Sequence, residues 1–352
     1  MKKKLSLLLT GILCVGLLTG CTKTSNSGFA GTYWLENPAN RQVEKGFYEK
    51  IEYAVTTEEE YEGKKITNLE QSGLYFDIDE NLSSFVTELY EENGLYVYKT
   101  TLTMSGDYIF AGESVAVDDV TQTETVFKGI ENGFACVKSV KKIKNTLPTT
   151  LNPTSQSQFT VVNATITTEY GEKNATHTLT TNDEKSKAYF SSLKEPLTVK
   201  RYNKKAFIEN ELMMLMARNF SYESSLNYEF STIESATGEL TTITIAPDVD
   251  LTTTSSESSS QSTAFKTLSV ENCQIDDVIR TVSFNTFRLK FSTTGEYAQD
   301  FAYAYYANSL DSDVKDDHNV SRHYLVKCYK PALYNTCYMV YTLDRVTHVK
   351  PQ

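Results

Sequence analysis

The chain has one tryptophan, seven prolines and four histidines in 352 residues. His177, His318, His323 and His348 are scattered, and H-E-x-x-H does not occur, so the common zinc-hydrolase pattern is excluded. Among six cysteines no C-x-x-C pair occurs, which removes thiol-exchange and zinc-ribbon chemistry on spacing. G-x-S-x-G, G-x-x-x-x-G-K-[ST] and G-x-G-x-x-G are also missing. Positive charge is in deficit, with 34 basic against 45 acidic side chains and a net charge of −11. That is a poor footprint for nucleic acid or for an anionic membrane surface. No apolar run reaches the ~20 residues that a membrane-spanning helix needs.

The longest apolar run, Leu5 to Leu18, is interrupted by Ser6, Thr10, Gly11 and Gly16 and preceded by Lys2, Lys3 and Lys4. A basic start, a short apolar stretch and small residues after it form the secretory pattern. Its end, Leu18-Thr19-Gly20-Cys21, resembles the lipobox of bacterial lipoproteins. The resemblance covers the leader and one cysteine. It implies a diacylglyceryl group on the Cys21 sulfur and cleavage before that residue. Two acyl chains, at ~0.8 kcal/mol per buried CH₂, give the stable anchoring that one chain does not. The expected location is the extracytoplasmic face of a cell membrane, with the lipid anchor as the membrane contact. Removing residues 1–20 takes away three lysines and no acid, so the net charge falls from −11 to −14.

What is abundant is tyrosine and phenylalanine, 23 and 17 residues, in a chain rich in threonine. That composition favours strands. Residues 21–28 read as a polar tether. From Phe47 to Thr57 apolar and polar residues alternate with period two. Further strands are expected at Leu74–Ile78, Ser84–Tyr90, Leu95–Met104, Thr123–Gly129, Phe134–Ile143, Phe159–Tyr170, Ala175–Thr181, Asn227–Ile233, Glu239–Ile245, Thr281–Ser292, Glu296–Ala307, Val320–Tyr329 and Thr336–Val349. Asn93-Gly94 is a hairpin signal, and Ser105-Gly106-Asp107 reads as another turn. The best helix signal is Asn203 to Asn219, where Phe207, Ile208, Leu212, Leu215 and Met216 form one stripe and Asn203 can cap. Residues 248–263 are Ser/Thr-rich and read as a flexible insertion. Leu102–Tyr108 (LTMSGDY) resembles Phe291–Tyr297 (FSTTGEY), a weak internal repeat in which Cys136 and Cys337 fall in similar places.

The expected fold class is α+β: two domains dominated by antiparallel sheet, residues 29–152 and 153–352, with one main helix packed on the second sheet. The prolines between Leu147 and Gln158 mark the boundary. Cys328 and Cys337 flank an apparent turn, and an exported chain can form a hairpin disulfide there.

Candidate chemistry is thin. Ser139, Ser191 and Ser312 each begin an S-x-x-K, without S-D-N or K-T-G. Cys328 and His323 are an odd number of residues apart, which puts them on opposite faces of a regular strand. Asp311, Asp313, Asp316, Asp317 and His318 gather acid groups, but Lys315 and Asp316 break the calcium-loop pattern. No catalytic residue, cofactor or metal ligand is assigned. The functional expectation is a non-enzymatic binding or interaction module, with an apolar ligand taken between sheet and helix. The alternatives are a wall-polysaccharide hydrolase using paired carboxylates and a structural or adhesive surface protein. Radiolabelled palmitate is expected on the wild-type chain and absent after Cys21→Ala; equal labelling of both removes the anchor.

Overall fold

The computed structural model describes residues 48–66, 73–128, 135–193, 196–200, 206–218, 228–235, 237–247, 265–294, 302–307, 323–332 and 336–348. The leader with Cys21, the tether, the Ser/Thr-rich stretch 248–263 and the acidic cluster Asp311–His318 lie outside the described residues.

Strands dominate. In chain order they are β1 (Tyr48–Glu58), β2 (Glu60–Tyr61), β3 (Lys64–Lys65), β4 (Leu74–Ile78), β5 (Ser84–Glu92), β6 (Leu95–Phe110), β7 (Glu113–Phe127), β8 (Cys136–Pro148), β9 (Phe159–Tyr170) and β10 (Asn174–Thr180). A short helix α1 (Glu184–Tyr189) precedes β11 (Leu197–Lys200) and β12 (Ala206–Phe207). Helix α2 (Leu212–Ala217) is followed by β13 (Tyr228–Ile233), β14 (Leu240–Pro247), β15 (Phe265–Ile275), β16 (Val278–Thr294), β17 (Ala302–Ala307), β18 (Leu325–Ala332) and β19 (Cys337–Thr347).

Backbone pairing joins them in the order β12-β13-β14-β16-β17-β18-β19-β1-β5-β6-β7-β8-β9-β10-β11. β4 extends the β5 edge of β6, and β15 shares an edge of β16 with β14. Nearly all contacts are antiparallel; the short pairings of β12 with β13 and of β15 with β19 are parallel. The expected boundary at 147–158 is a turn in this ladder, since Leu147 pairs with Thr160 and Pro148 with Phe159. Among the described residues the first and last strands are neighbours, with Lys50 opposite Thr347. The two halves of the sequence therefore share one run of strands.

Two six-strand runs lie side by side in that order: β13-β14-β16-β17-β18-β19 and β1-β5-β6-β7-β8-β9. Both carry a register shift at the same place, Val126/Phe127 against β8 and Tyr305/Tyr306 against β18. This aligns Val137-Lys138-Ser139-Val140-Lys141 with Val326-Lys327-Cys328-Tyr329-Lys330. Cys136 then corresponds to Leu325 and not to Cys337, because Cys337 opens the following strand.

Two local expectations change and one is met. Gly106 is not a turn: it sits inside β6 at φ 149, where a Cβ would meet the Asp77 carbonyl, so the residue serves a close strand approach. The Asn93-Gly94 hairpin forms, with φ 54 and 77. The helix expected over Asn203–Asn219 is only six residues long, because Ala206 and Phe207 instead pair with Phe230 and Ser231. The stripe itself is right, since Ile208, Leu212, Leu215 and Met216 are all in the core. Asn203 and Asn219 lie outside the described residues. Helix α1, which the sequence reading missed, is capped by Asp183, whose carboxylate accepts the Lys185 and Ser186 amides. It packs on β9 through Phe190, with Leu193 beside it.

The sheet curls. Nine strands separate β8 from β13 along the ladder, yet Lys141 on β8 donates to the Ser235 hydroxyl just after β13, 3.1 Å away. Ile233 at the end of β13 packs with Ala175 on β10. Inside the curve lies segment 208–217. Ile208, Leu212, Met213, Leu215, Met216 and Ala217 touch a wall built from Ile51, Tyr53, Phe85, Tyr98, Phe127, Phe230, Ile243, Phe284, Tyr306 and Tyr341. Each large apolar side chain sealed there contributes roughly 1.5–3 kcal/mol.

Cys328 and Cys337 are not bridged, and the four described cysteines are free. The register explains it: Cys328 faces Tyr341, and Cys337 faces Ala332. Four residues of offset, at ~3.4 Å each, exceed the ~6 Å between Cα atoms that a disulfide spans.

Segment 208–217 is held at its end by charge. The Arg218 guanidinium donates to both oxygens of Glu49 on β1, at 2.6 and 3.1 Å, and both residues are buried. The same guanidinium lies 5.3 Å from the centre of the Tyr324 ring. Removing one partner strands the other charge in the core, which costs about 3–5 kcal/mol. Glu49→Gln and Arg218→Met are each expected to lower stability by that amount in denaturant titrations, and the double variant by less than their sum. Additive losses would mean that the pair is not coupled.

Candidate functional site

Three charges enter the curved sheet with the buried segment: Glu209, Glu211 and Arg218. The first two meet lysines from the repeated strands. Lys141 Nζ lies 3.4 Å from a Glu209 oxygen and 3.6 Å from a Glu211 oxygen. Lys330, the register equivalent of Lys141, stands on the other wall, and its strongest electrostatic neighbour is Glu211. Alternation within each strand makes this possible. In V-K-x-x-K the second lysine has the inward parity of Ser139 and Cys328, while Lys138 and Lys142 point out.

The backbone joins the arrangement. The Glu209 amide donates to the Cys136 sulfur at 3.4 Å, and the Glu211 amide donates to Glu209 Oε2 at 2.5 Å. Tyr306 donates its hydroxyl to the Met214 carbonyl at 3.1 Å, fixing the far side of α2. Beside Lys141, His177 accepts the Thr168 hydroxyl on Nδ1, 2.9 Å away, which leaves Nε2–H directed at the Ser235 carbonyl 3.5 Å away. Burial holds His177 below the ordinary histidine range, so it is neutral.

Environment separates the two glutamates. Burial pushes Glu209 above the usual carboxylate range, against the pull of Lys141. Glu211 is less deeply buried, and Lys330 and Lys141 together hold it below that range against the effect of burial. The attraction of Glu209 and Glu211 outweighs burial at Lys141, which stays charged.

A cavity of about 100 Å³ opens against this cluster. Its lining is Asn210, Glu211, Met213 and Met214 from the inner segment, facing Ile243 on β14, Phe291 and Thr293 on β16, Ala302 and Ala304 on β17, and Cys328, Lys330 and Pro331 on β18. The hollow exists because β17 alternates small and large residues: Ala302 and Ala304 face in, while Tyr303 and Tyr305 pack outward against Tyr61 and its neighbours. Opposite them, Met213 and Met214 occupy the side of α2 away from the filled stripe.

The other candidates come apart. Ser139 is buried and Lys142 exposed on opposite faces of β8, so this S-x-x-K brings no hydroxyl to an amine. Ser191 lies in a short 3₁₀ turn, and Ser312 lies outside the described residues. Burial pushes the Cys328 thiol up to about 12, and burial beside Arg218 pushes His323 down to about 3, so at neutral pH the former is a thiol and the latter uncharged. Among the described residues no group of three or more His, Cys, Asp or Glu could hold a metal ion. Sequence reasoning missed Glu209, Glu211, Lys141 and Lys330. The available signal was the second V-K-x-x-K and two glutamates immediately before the all-apolar run Leu212–Ala217.

No protein-family description, curated protein or solved structure matches this chain.

Lys141→Met leaves two buried carboxylates short of a cation. Glu209 already binds its proton more tightly in the fold than an exposed glutamate, so its ionisation opposes folding as pH rises, and losing Lys141 enlarges that opposition. The variant is expected to lose about 3–5 kcal/mol at pH 7.5 and clearly less near pH 5, by urea titration at both. Equal losses at both pH values would remove Glu209 from the account.

Proposed function

We propose that the chain is an extracytoplasmic lipoprotein, held to the membrane through Cys21, that acts as a non-enzymatic binding module for a small, largely apolar ligand. The observation that carries the ligand reading is the cavity between the Met213–Met214 side of α2 and strands β14, β16, β17 and β18. Its wall combines apolar side chains with a few polar groups, the composition typical of small-molecule sites. Methionines suit such a wall, being unbranched and adaptable. The opposite stripe of α2, with Leu212, Leu215 and Met216, is filled core together with Ile208 before it and offers no space. The occupant is therefore small, or enters only in part.

One observation favours a hydrolase instead: Glu209 and Glu211 approach the same lysine, and their affinities for protons are driven in opposite directions. Glu209, however, is 5% exposed and does not line the cavity. A substrate in the cavity would reach only Glu211, so the binding reading stands first.

Isohexanol, a branched six-carbon alcohol, is expected to raise the melting temperature of the wild-type chain by a few degrees at saturation. Ala302→Leu, which puts a side chain into the hollow, is expected to abolish the rise without lowering the ligand-free melting temperature. A response unchanged by Ala302→Leu would place the ligand elsewhere.

A further inference from the structure

We infer that the cavity takes a short aliphatic carboxylate, its alkyl part among Met213, Met214, Ile243, Phe291, Ala302 and Ala304 and its carboxylate on the Lys330 ammonium. This rests on the reading of the cavity as a ligand site and specifies what enters it.

Two charged groups line the hollow, Glu211 and Lys330. They are not equivalent. Glu211 already has a direct counter-charge in Lys141, 3.6 Å away. The Lys330 ammonium makes no hydrogen bond and no ion pair within 4 Å among the described residues, although the fields of Glu211, Glu209 and Glu234 keep it protonated. A half-buried ammonium that feels Glu211 only at a distance, with no hydrogen bond to it, is the group with unspent hydrogen-bonding capacity. A carboxylate satisfies it through a charge-assisted bond, the stronger class. An amine would meet Lys330 with like charge.

Size sets the alkyl part. An engineered apolar cavity of about 150 Å³ accommodates benzene. By that scale a hollow of about 100 Å³ holds roughly four heavy atoms. Such an end group belongs equally to a free branched-chain or short-chain acid and to an aliphatic residue at a peptide C-terminus.

The test follows the Met213 and Met214 methyl resonances of the full chain, labelled with ¹³C-methyl methionine, during titration with isocaproate, isohexanol and N-acetyl-leucine. Isocaproate is expected to bind about tenfold more tightly than isohexanol, the size of one charge-assisted contact. That advantage should vanish in Lys330→Gln and return in Lys330→Arg. Equal binding of acid and alcohol overturns the carboxylate inference and leaves the apolar site standing. Binding of neither overturns both. If Lys330→Gln does not fold, the wild-type ratio of acid to alcohol decides, and a ratio that does not fall with added salt overturns the inference. N-acetyl-leucine binding alongside isocaproate identifies a peptide terminus as an acceptable source; isocaproate binding alone identifies the free acid.

Discussion

Burying segment 208–218 inside a curved sheet brings Glu209, Glu211 and Arg218 out of water, and every one of them needs an opposite charge on the wall. An isolated ion in a protein interior costs several kcal/mol even after relaxation. The wall answers from three strands: β1 supplies Glu49, β8 supplies Lys141 and β18 supplies Lys330. These strands are far apart in sequence, so the charges fix how the sheet closes around the segment as well as where the segment sits. An all-apolar segment of the same volume would pack as tightly, but it would specify its position less sharply. The cavity lies where this constraint and the small β17 residues coincide.

The two aligned strand runs explain why two lysines reach one site. A sheet that repeats its pairing and its bulge presents the same inward position twice, once on each wall. The buried segment follows β12 and lies between those positions. One asymmetry remains: Lys141 is consumed by two carboxylates and a serine hydroxyl, while Lys330 faces the hollow. The difference follows from position, since Glu209 on the segment and Ser235 after β13 both fall on the β8 side.

Much of the fold was legible in the sequence. Period-two alternation located Leu74–Ile78 and Phe159–Tyr170 to the residue, and Asn93-Gly94 gave its hairpin. The errors share a cause: they concern long-range pairing. Helical spacing reported the burial of Ile208, Leu212, Leu215 and Met216 correctly, but a two-residue strand pairing claimed Phe207, and this depends on β13. Gly106 looked like a turn because nothing local reveals that Asp77 crosses so close. Pro148, near the expected boundary, terminates a strand at a hairpin, where its missing N–H does no harm. The site was the least legible part. V-K-x-x-K reads as two unremarkable strand segments until the register places both beside Glu211.

Lys50 and Thr347 stand opposite each other where β1 begins and β19 ends, in an antiparallel ladder that runs on to Glu58 and Tyr338. A pull applied through Tyr48 and His348 therefore loads the rungs of that ladder in succession, as a zipper is opened, and not all together in shear. Tension between the ends would peel the first strand from the last at low force and expose the inner face that holds Glu49. A body hung by one end alone never feels that load, so single-ended attachment is the mechanically tolerant way to hold this topology.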